Sequence, residues 1–263
     1  MEFFDTHSHY NDEKFDEDRD EIIRKTQEEG ITKFNCVGYD VASSKLSIEI
    51  ANKYPFIYSI CGVSPNDVLE TVEETNKQIN SIEELIKNDL NNRIVAVGEI
   101  GLDYYWNKEN KEVQKEAFKK QIELANKFEL PIVIHTREAV QDTIDMLKQN
   151  EVKEKGVFHC CPLNRELVKE ALKLGFYISF AGPITFKNSK NAEEIVNLVP
   201  LDRILIETDS PYLAPEPKRG IRNDSRNVKY IAEKIAQFKE IELEKVAFET
   251  YNNALKIFKK ISK

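Results

Sequence analysis

Short β-branched runs alternate with longer helical patterns from one end of the chain to the other, and this alternation limits the fold more than any other feature. The expected strands are Glu2–Asp5, Ile31–Val37, Phe56–Cys61, Arg93–Val97, Pro131–Ile134, Val157–His159, Phe176–Ser179 and Arg203–Ile206. Each is apolar almost throughout, as a parallel sheet covered on both faces requires. Between them run amphipathic segments. Val113, Ala117, Gln121, Leu124 and Phe128 share one side of a helix, as do Val246, Thr250, Ala254, Ile257 and Ile261. Eight such units in a row specify an α/β protein, a (β/α)8 TIM barrel. Barrels of this kind reach 263 residues as one unit, and no Pro/Gly/Ser-rich linker divides the chain, so one domain over 1–263 is expected. A doubly wound open sheet is disfavoured. Asp5-Thr6-His7-Ser8-His9 stands where its glycine-rich phosphate loop would follow the first strand.

The four histidines of the chain all fall at the ends of these runs. His7 and His9 close the first, His135 the fifth and His159 the sixth. The carboxyl ends of barrel strands form one face, so residues far apart in sequence converge there. Carboxylates occupy equivalent places: Glu99 after the fourth strand, Glu207 and Asp209 after the eighth. Period-two alternation should point Asp5, His7 and His9 the same way. A single histidine is most simply a hydrogen-bonded core residue, but four imidazoles joined by carboxylates read as a metal centre. That donor set exceeds what one tetrahedral ion needs, so two divalent ions sharing a carboxylate are expected. Imidazole-rich ligation suits Zn, Mn, Co, Ni or Fe, and Mg remains compatible with the oxygen ligands.

Charge narrows the partners. A formal net charge of −8 argues against a basic surface that wraps duplex nucleic acid, but leaves room for a small site where metal ions supply the positive charge. The start Met1-Glu2-Phe3-Phe4-Asp5 lacks a signal-peptide pattern, and no run approaches the ~18 apolar residues of a membrane span. Cys36, Cys61, Cys160 and Cys161 read as reduced thiols. The expectation is a cytoplasmic protein with no membrane association and no obligate protein partner.

Five stretches then carry a resemblance. They are Asp5-Thr6-His7-Ser8-His9, Gly98-Glu99-Ile100-Gly101-Leu102-Asp103-Tyr104, Pro131-Ile132-Val133-Ile134-His135-Thr136-Arg137, Phe158-His159-Cys160, and Glu207-Thr208-Asp209-Ser210-Pro211-Tyr212-Leu213-Ala214-Pro215. In order and spacing, the chain resembles the TatD family of metal-dependent deoxyribonucleases within the amidohydrolase superfamily. The resemblance implies that His7, His9 and Asp209 hold one ion together with Glu99, and that His135 and His159 hold the second with Glu99 bridging. It also implies that Asp209 orients or deprotonates the attacking water, and that the substrate is DNA, trimmed at single-stranded or frayed ends from the 3′ side. Three places depart from the family pattern: Ser64 in Gly62-Val63-Ser64-Pro65, Cys161-Pro162 after His159-Cys160, and Asp224-Ser225 after Arg219-Gly220-Ile221-Arg222-Asn223. They touch no inferred ligand and bear on the shape of the substrate pocket.

Other residues are candidates for substrate contact. Arg137 offers a bidentate fork for a phosphate, or else pairs with Glu138. Lys218, Arg219, Arg222 and Arg226 form a basic run after the last strand, either on the catalytic face or simply solvated. Tyr104, Tyr105 and Trp106 either stack on unpaired bases or pack a loop. Glu207 is expected to hold a ligand imidazole in its tautomer. A binuclear centre alone does not choose the bond. A hydrolase of another bond, such as an aminoacyl-tRNA deacylase or small-molecule amidohydrolase, and a non-catalytic metal-binding scaffold stay open.

Overall fold

All eight expected strands form, in a computed structural model that describes residues 1–262; Lys263, the last residue of the expected domain, lies outside them. The strands are β1 (Phe3–Ser8), β2 (Ile31–Val37), β3 (Ile57–Cys61), β4 (Ile94–Asp103), β5 (Ile132–Arg137), β6 (Gly156–Phe158), β7 (Tyr177–Phe180) and β8 (Ile204–Ile206). Each pairs in parallel with the next, in the order β1 to β8. The helices are α1 (Arg19–Glu28), α2 (Val41–Lys53), α3 (Val72–Lys87), α4 (Lys111–Lys127), α5 (Val140–Gln149), α6 (Arg165–Lys173), α7 (Ala192–Leu198), α8 (Val228–Lys239) and α9 (Leu243–Ile257). The sheet curls until its ends meet. The Asp209 N–H donates to the His7 carbonyl at 2.9 Å and the His9 N–H to the Ser210 carbonyl at 2.7 Å. Closure therefore stitches together two segments that carry expected ligands.

Two apolar clusters hold the barrel. The larger lies between the sheet and the helices, where α4 contributes Ala117, Phe118 and Leu124. The smaller takes a side chain from every strand, including Phe4, Val37, Ile60, Val95, Val133, Val157, Tyr177 and Leu205, and so fills the barrel interior. Ala254 and Ile257 of α9, with Phe258, pack into this cluster. The helix stops at Ile257, so Ile261 falls in the following turn rather than on the same helical face.

The interior cluster sets the direction of the site. Side chains two residues apart on a strand point the same way. His135 follows Val133 by two, His159 follows Val157 by two, and Glu207 follows Leu205 by two, so all three continue the interior column toward the mouth. In β1 the simple rule fails. The pairing of β1 with β2 shifts register between Asp5 and Ser8, and such an irregularity re-aims side chains. Asp5 consequently does not join His7 and His9. Three strands also run longer than expected: β1 includes His7, β4 continues to Asp103, which puts Glu99 inside the strand rather than after it, and β5 continues through His135 to Arg137.

Candidate metal centre

Six side chains from β1, β4, β5 and the loops after β1, β6 and β8 meet at the mouth. His7 Nε2 and His9 Nε2 lie 3.2 Å apart, and so do His135 Nδ1 and His159 Nε2. Glu99 stands between these pairs and gives one carboxylate oxygen to each. Its Oε1 is 2.9 Å from His135 Nδ1 and 3.2 Å from His159 Nε2. Its Oε2 is 3.4 Å from His7 Nε2 and 3.9 Å from His9 Nε2. Asp209 Oδ1 faces the first pair, at 3.3 Å from His9 and 3.8 Å from His7. The rings of His7 and His159 stack at 4.0 Å, joining the two halves.

This donor set fits divalent cations. Ligand atoms of His7, His9 and Asp209 all lie within 4.8 Å of one another, and those of His7, Glu99 and His159 do the same. The buried cluster also draws positive charge. Burial opposes charge on Glu99, but the imidazoles of His159, His135 and His7 hold its carboxyl well below the usual range. Burial likewise opposes protonation of His159, yet Glu99 and Glu207 raise it well above the ordinary imidazole value. His7 is the exception: burial and the neighbouring His159 lower it, which keeps a lone pair available.

A second ring of groups fixes the ligands. The carboxylate of Asp103 sits 2.9 Å from His135 Nε2, leaving Nδ1 to face Glu99. His9 Nδ1 lies 2.9 Å from the Val37 carbonyl, which places its Nε2 toward Asp209. Glu207 Oε1 lies 3.3 Å from His159 Nδ1 and accepts the Cys160 N–H. Gly101 has φ of +138°, and a Cβ there would stand 2.0 Å from the His135 carbonyl oxygen, so only glycine lets β4 approach β5 here. Asp209 itself has φ of +55°, a conformation that Asp tolerates better than most residues and that cross-barrel hydrogen bonds hold in place.

With this geometry in view, relatives become informative. A family model described as TatD-related DNase matches residues 4–259. The chain belongs to the TatD-related DNase family. The metal-dependent hydrolase YabD of Bacillus subtilis is 42% identical over 257 residues, 97% of this chain and 98% of that one. The metal-dependent hydrolase YcfH of Escherichia coli K12 is 33% identical over 98% of this chain and 96% of its own. Among solved structures, the TatD homologue YjjV of Escherichia coli superposes with a TM-score of 0.90 at 22% identity, covering 98% of each chain. That likeness shows the same barrel. With family membership and donor set together, the chain is a metal-dependent hydrolase of the TatD type.

The TatD site opens into a pocket of about 820 Å³. Arg137 lines it and does not pair with Glu138. Its guanidinium lies over the rings of Tyr105 at 3.9 Å and Trp106 at 5.5 Å. Three other expected contacts are elsewhere. Tyr104 is buried, with its hydroxyl donating to Asp142 at 2.6 Å, so its ring packs the loop. Arg222 is drawn off by Asp18 and lies over Phe15. Arg219 donates to the Ala214 carbonyl at 3.1 Å and stacks on Phe186. The expected basic cluster is thus dispersed among local partners, Arg226 going to Asp224 at 2.8 Å.

The departures from the family pattern have structural homes. Ser64 donates to Asp67 in a turn, and Cys161 and Pro162 form part of the pocket wall. Ser225 donates to Asp5 Oδ2 at 2.6 Å. Asp5 also accepts from the Thr208 N–H at 2.9 Å and the Thr208 hydroxyl at 2.6 Å. It therefore ties β1 to the segment that presents Asp209. Sequence reasoning missed Asp103 and this role of Asp5. Asp103 was within reach, since it lies four positions on from Glu99 in one strand and even spacing puts both on one side.

Proposed function

We propose that the chain, as one barrel domain, is a deoxyribonuclease that hydrolyses phosphodiester bonds at single-stranded or frayed DNA ends, from the 3′ side, using two divalent ions. One observation carries the reading: the two oxygens of Glu99 are divided between His7 with His9 and His135 with His159. His7, His9 and Asp209 would hold one ion, His135 and His159 the other, with Glu99 reaching both. Bound there, divalent ions of the Zn, Mn, Mg, Ni or Co type polarise a phosphodiester and ease loss of a proton from water.

The chain's own residues supply the rest. Asp209 faces the pocket, and its carboxylate accepts the proton of the attacking water. Asp103 and Glu207 keep His135 and His159 in the tautomers that turn their other nitrogens toward Glu99. Arg137 receives the phosphate through its guanidinium. The four cysteines are free thiols, which supports a cytoplasmic setting. Among the described residues no helix is long and apolar enough to cross a membrane.

The test is release of nucleotides from end-labelled single-stranded and double-stranded DNA by protein loaded with each metal in turn. Stepwise loss of 3′ nucleotides from the single strand supports the reading. Cleavage of a carboxylic ester or amide with no nucleotide released from any DNA overturns it.

A further inference from the structure

Beyond its ligands, the pocket is walled mainly by Trp106, Pro162, Leu163, Pro183 and Leu213. Arg137 is the one Lys or Arg among the described residues that line it. No ion pair engages that guanidinium among the described residues, so its five donors are left to a ligand. The aromatic pair beneath it is open to solvent, Trp106 at 68% and Tyr105 at 42% exposure, with the rings edge to face at 4.8 Å. Yet the loop is held. Asp103 Oδ1 accepts the N–H groups of Tyr105 and Trp106 at 2.9 Å each. A fixed ring left to water beside a free cation is a stacking platform waiting for a partner.

The flank at Tyr212 is acidic and disfavours a long polyanion. Tyr212 stands between the pocket and an adjoining depression lined by Asp12, Glu13, Asp16 and Asp40. A run of phosphates laid across that flank would meet Asp12, Glu13 and Asp40, while Asp16 is paired with Arg19 and the ammonium of Lys14 lies 4.2 Å over the Tyr212 ring.

We infer that the pocket grips a single unpaired nucleotide, its base on Trp106 and one phosphate on Arg137, so that dinucleotides serve as substrates as well as longer strands do. This rests on the nuclease reading above and adds to it a substrate class: short single-stranded fragments and the last residues of a strand. The salt dependence follows. One phosphate contact on a single strand gives a slope of log K against log salt of about −0.7, whereas four give about −2.8.

Trp106 is the sole tryptophan of the chain, so its fluorescence reports stacking independently of turnover. The experiment titrates metal-loaded protein with phosphorothioate-linked deoxyoligonucleotides of two, four and ten residues at several salt concentrations, and in parallel measures KM for the phosphodiester versions. The expected result is quenching of Trp106 by all three, with affinities within about threefold of one another and a slope near −0.7 for the ten-residue strand. Trp106→Ala should raise KM about tenfold or more for every length, with Trp106→Phe recovering most of it. Arg137→Gln should flatten the salt dependence. DNA hydrolysis whose KM falls tenfold or more from two residues to ten, or a slope near −3, overturns the single-nucleotide pocket while the nuclease reading stands. Absence of quenching by any of the three also overturns it. Quenching by the dinucleotide with no DNA hydrolysed under any metal overturns the nuclease reading instead.

Discussion

Asp103 and His135, at the ends of neighbouring strands, meet at 2.9 Å through Oδ2 and Nε2, and the same carboxylate accepts two N–H groups of the Tyr105–Trp106 loop. One carboxylate thus sets a ligand imidazole and the aromatic rim of the pocket together. Burial works against the charge on Asp103, and His135 with the loop amides brings its pKa down to about 2, so it stays ionised across the working range.

Asp103→Asn should therefore weaken metal binding at the His135 side by about ten- to a hundredfold while the barrel stays folded. Competition against a chromogenic chelator measures this. Unchanged affinity would show that His135 keeps its tautomer without Asp103.

Cys160 lines the pocket, but it acts through its backbone. Its N–H holds Glu207, while burial and the carboxylates of Asp209 and Glu207 push its thiol well above the usual range, leaving no thiolate to attack. Cys160→Ala should keep kcat within about threefold of the parent. A loss of a thousandfold would point to a nucleophilic cysteine.

Asp5 supplies a pH dependence. Burial raises its carboxyl to about 7, against the hydrogen bonds from Ser225 and Thr208 that favour the ion. The folded state then binds a proton that the unfolded chain has already released above its ordinary value near 3.8. The stability from protonated Asp5 is fully present below that value and is lost as pH rises to about 7. Asp5→Asn removes this titration. Relative to the variant, the parent should lose on the order of 2–4 kcal/mol between pH 4 and 8. Thermal unfolding of both proteins across that range reads the difference, and a gap that does not move with pH contradicts the assignment.

Gly101 tests the close packing of β4 on β5. With φ of +138° and a virtual Cβ 2.0 Å from the His135 carbonyl, Gly101→Ala must push the two strands apart. We expect a loss of about 3 kcal/mol or more in urea unfolding, with reduced metal content. A stable, fully loaded variant would mean that the strands tolerate the extra methyl.

Much of this was legible in the sequence because it rests on periodicity. Buried parallel strands are apolar on both faces, so all eight announced themselves, and the column from Val133 to His135 or Val157 to His159 follows from alternation alone. What stayed hidden depends on backbone irregularity and on competition between neighbours. The register shift in β1 turned Asp5 away from the histidines and into the Thr208–Ser225 network. The basic run after β8 looked like one patch, but Asp18 and Asp224 each claim an arginine from it. Tyr104 and Trp106 are two residues apart in the sequence. Asp142 holds the hydroxyl of the first and Lys111 covers its ring, while the second faces the pocket.

The division of the Glu99 carboxylate between two histidine pairs is the centre of the account, and metal content reads it directly. Elemental analysis of protein dialysed against each metal, alongside single-stranded DNA cleavage, should give two ions per chain for the parent. Glu99→Ala should bind fewer than two and release no nucleotides, with an unchanged circular dichroism spectrum. Two ions retained in Glu99→Ala, or continued turnover by it, would contradict the bridging role.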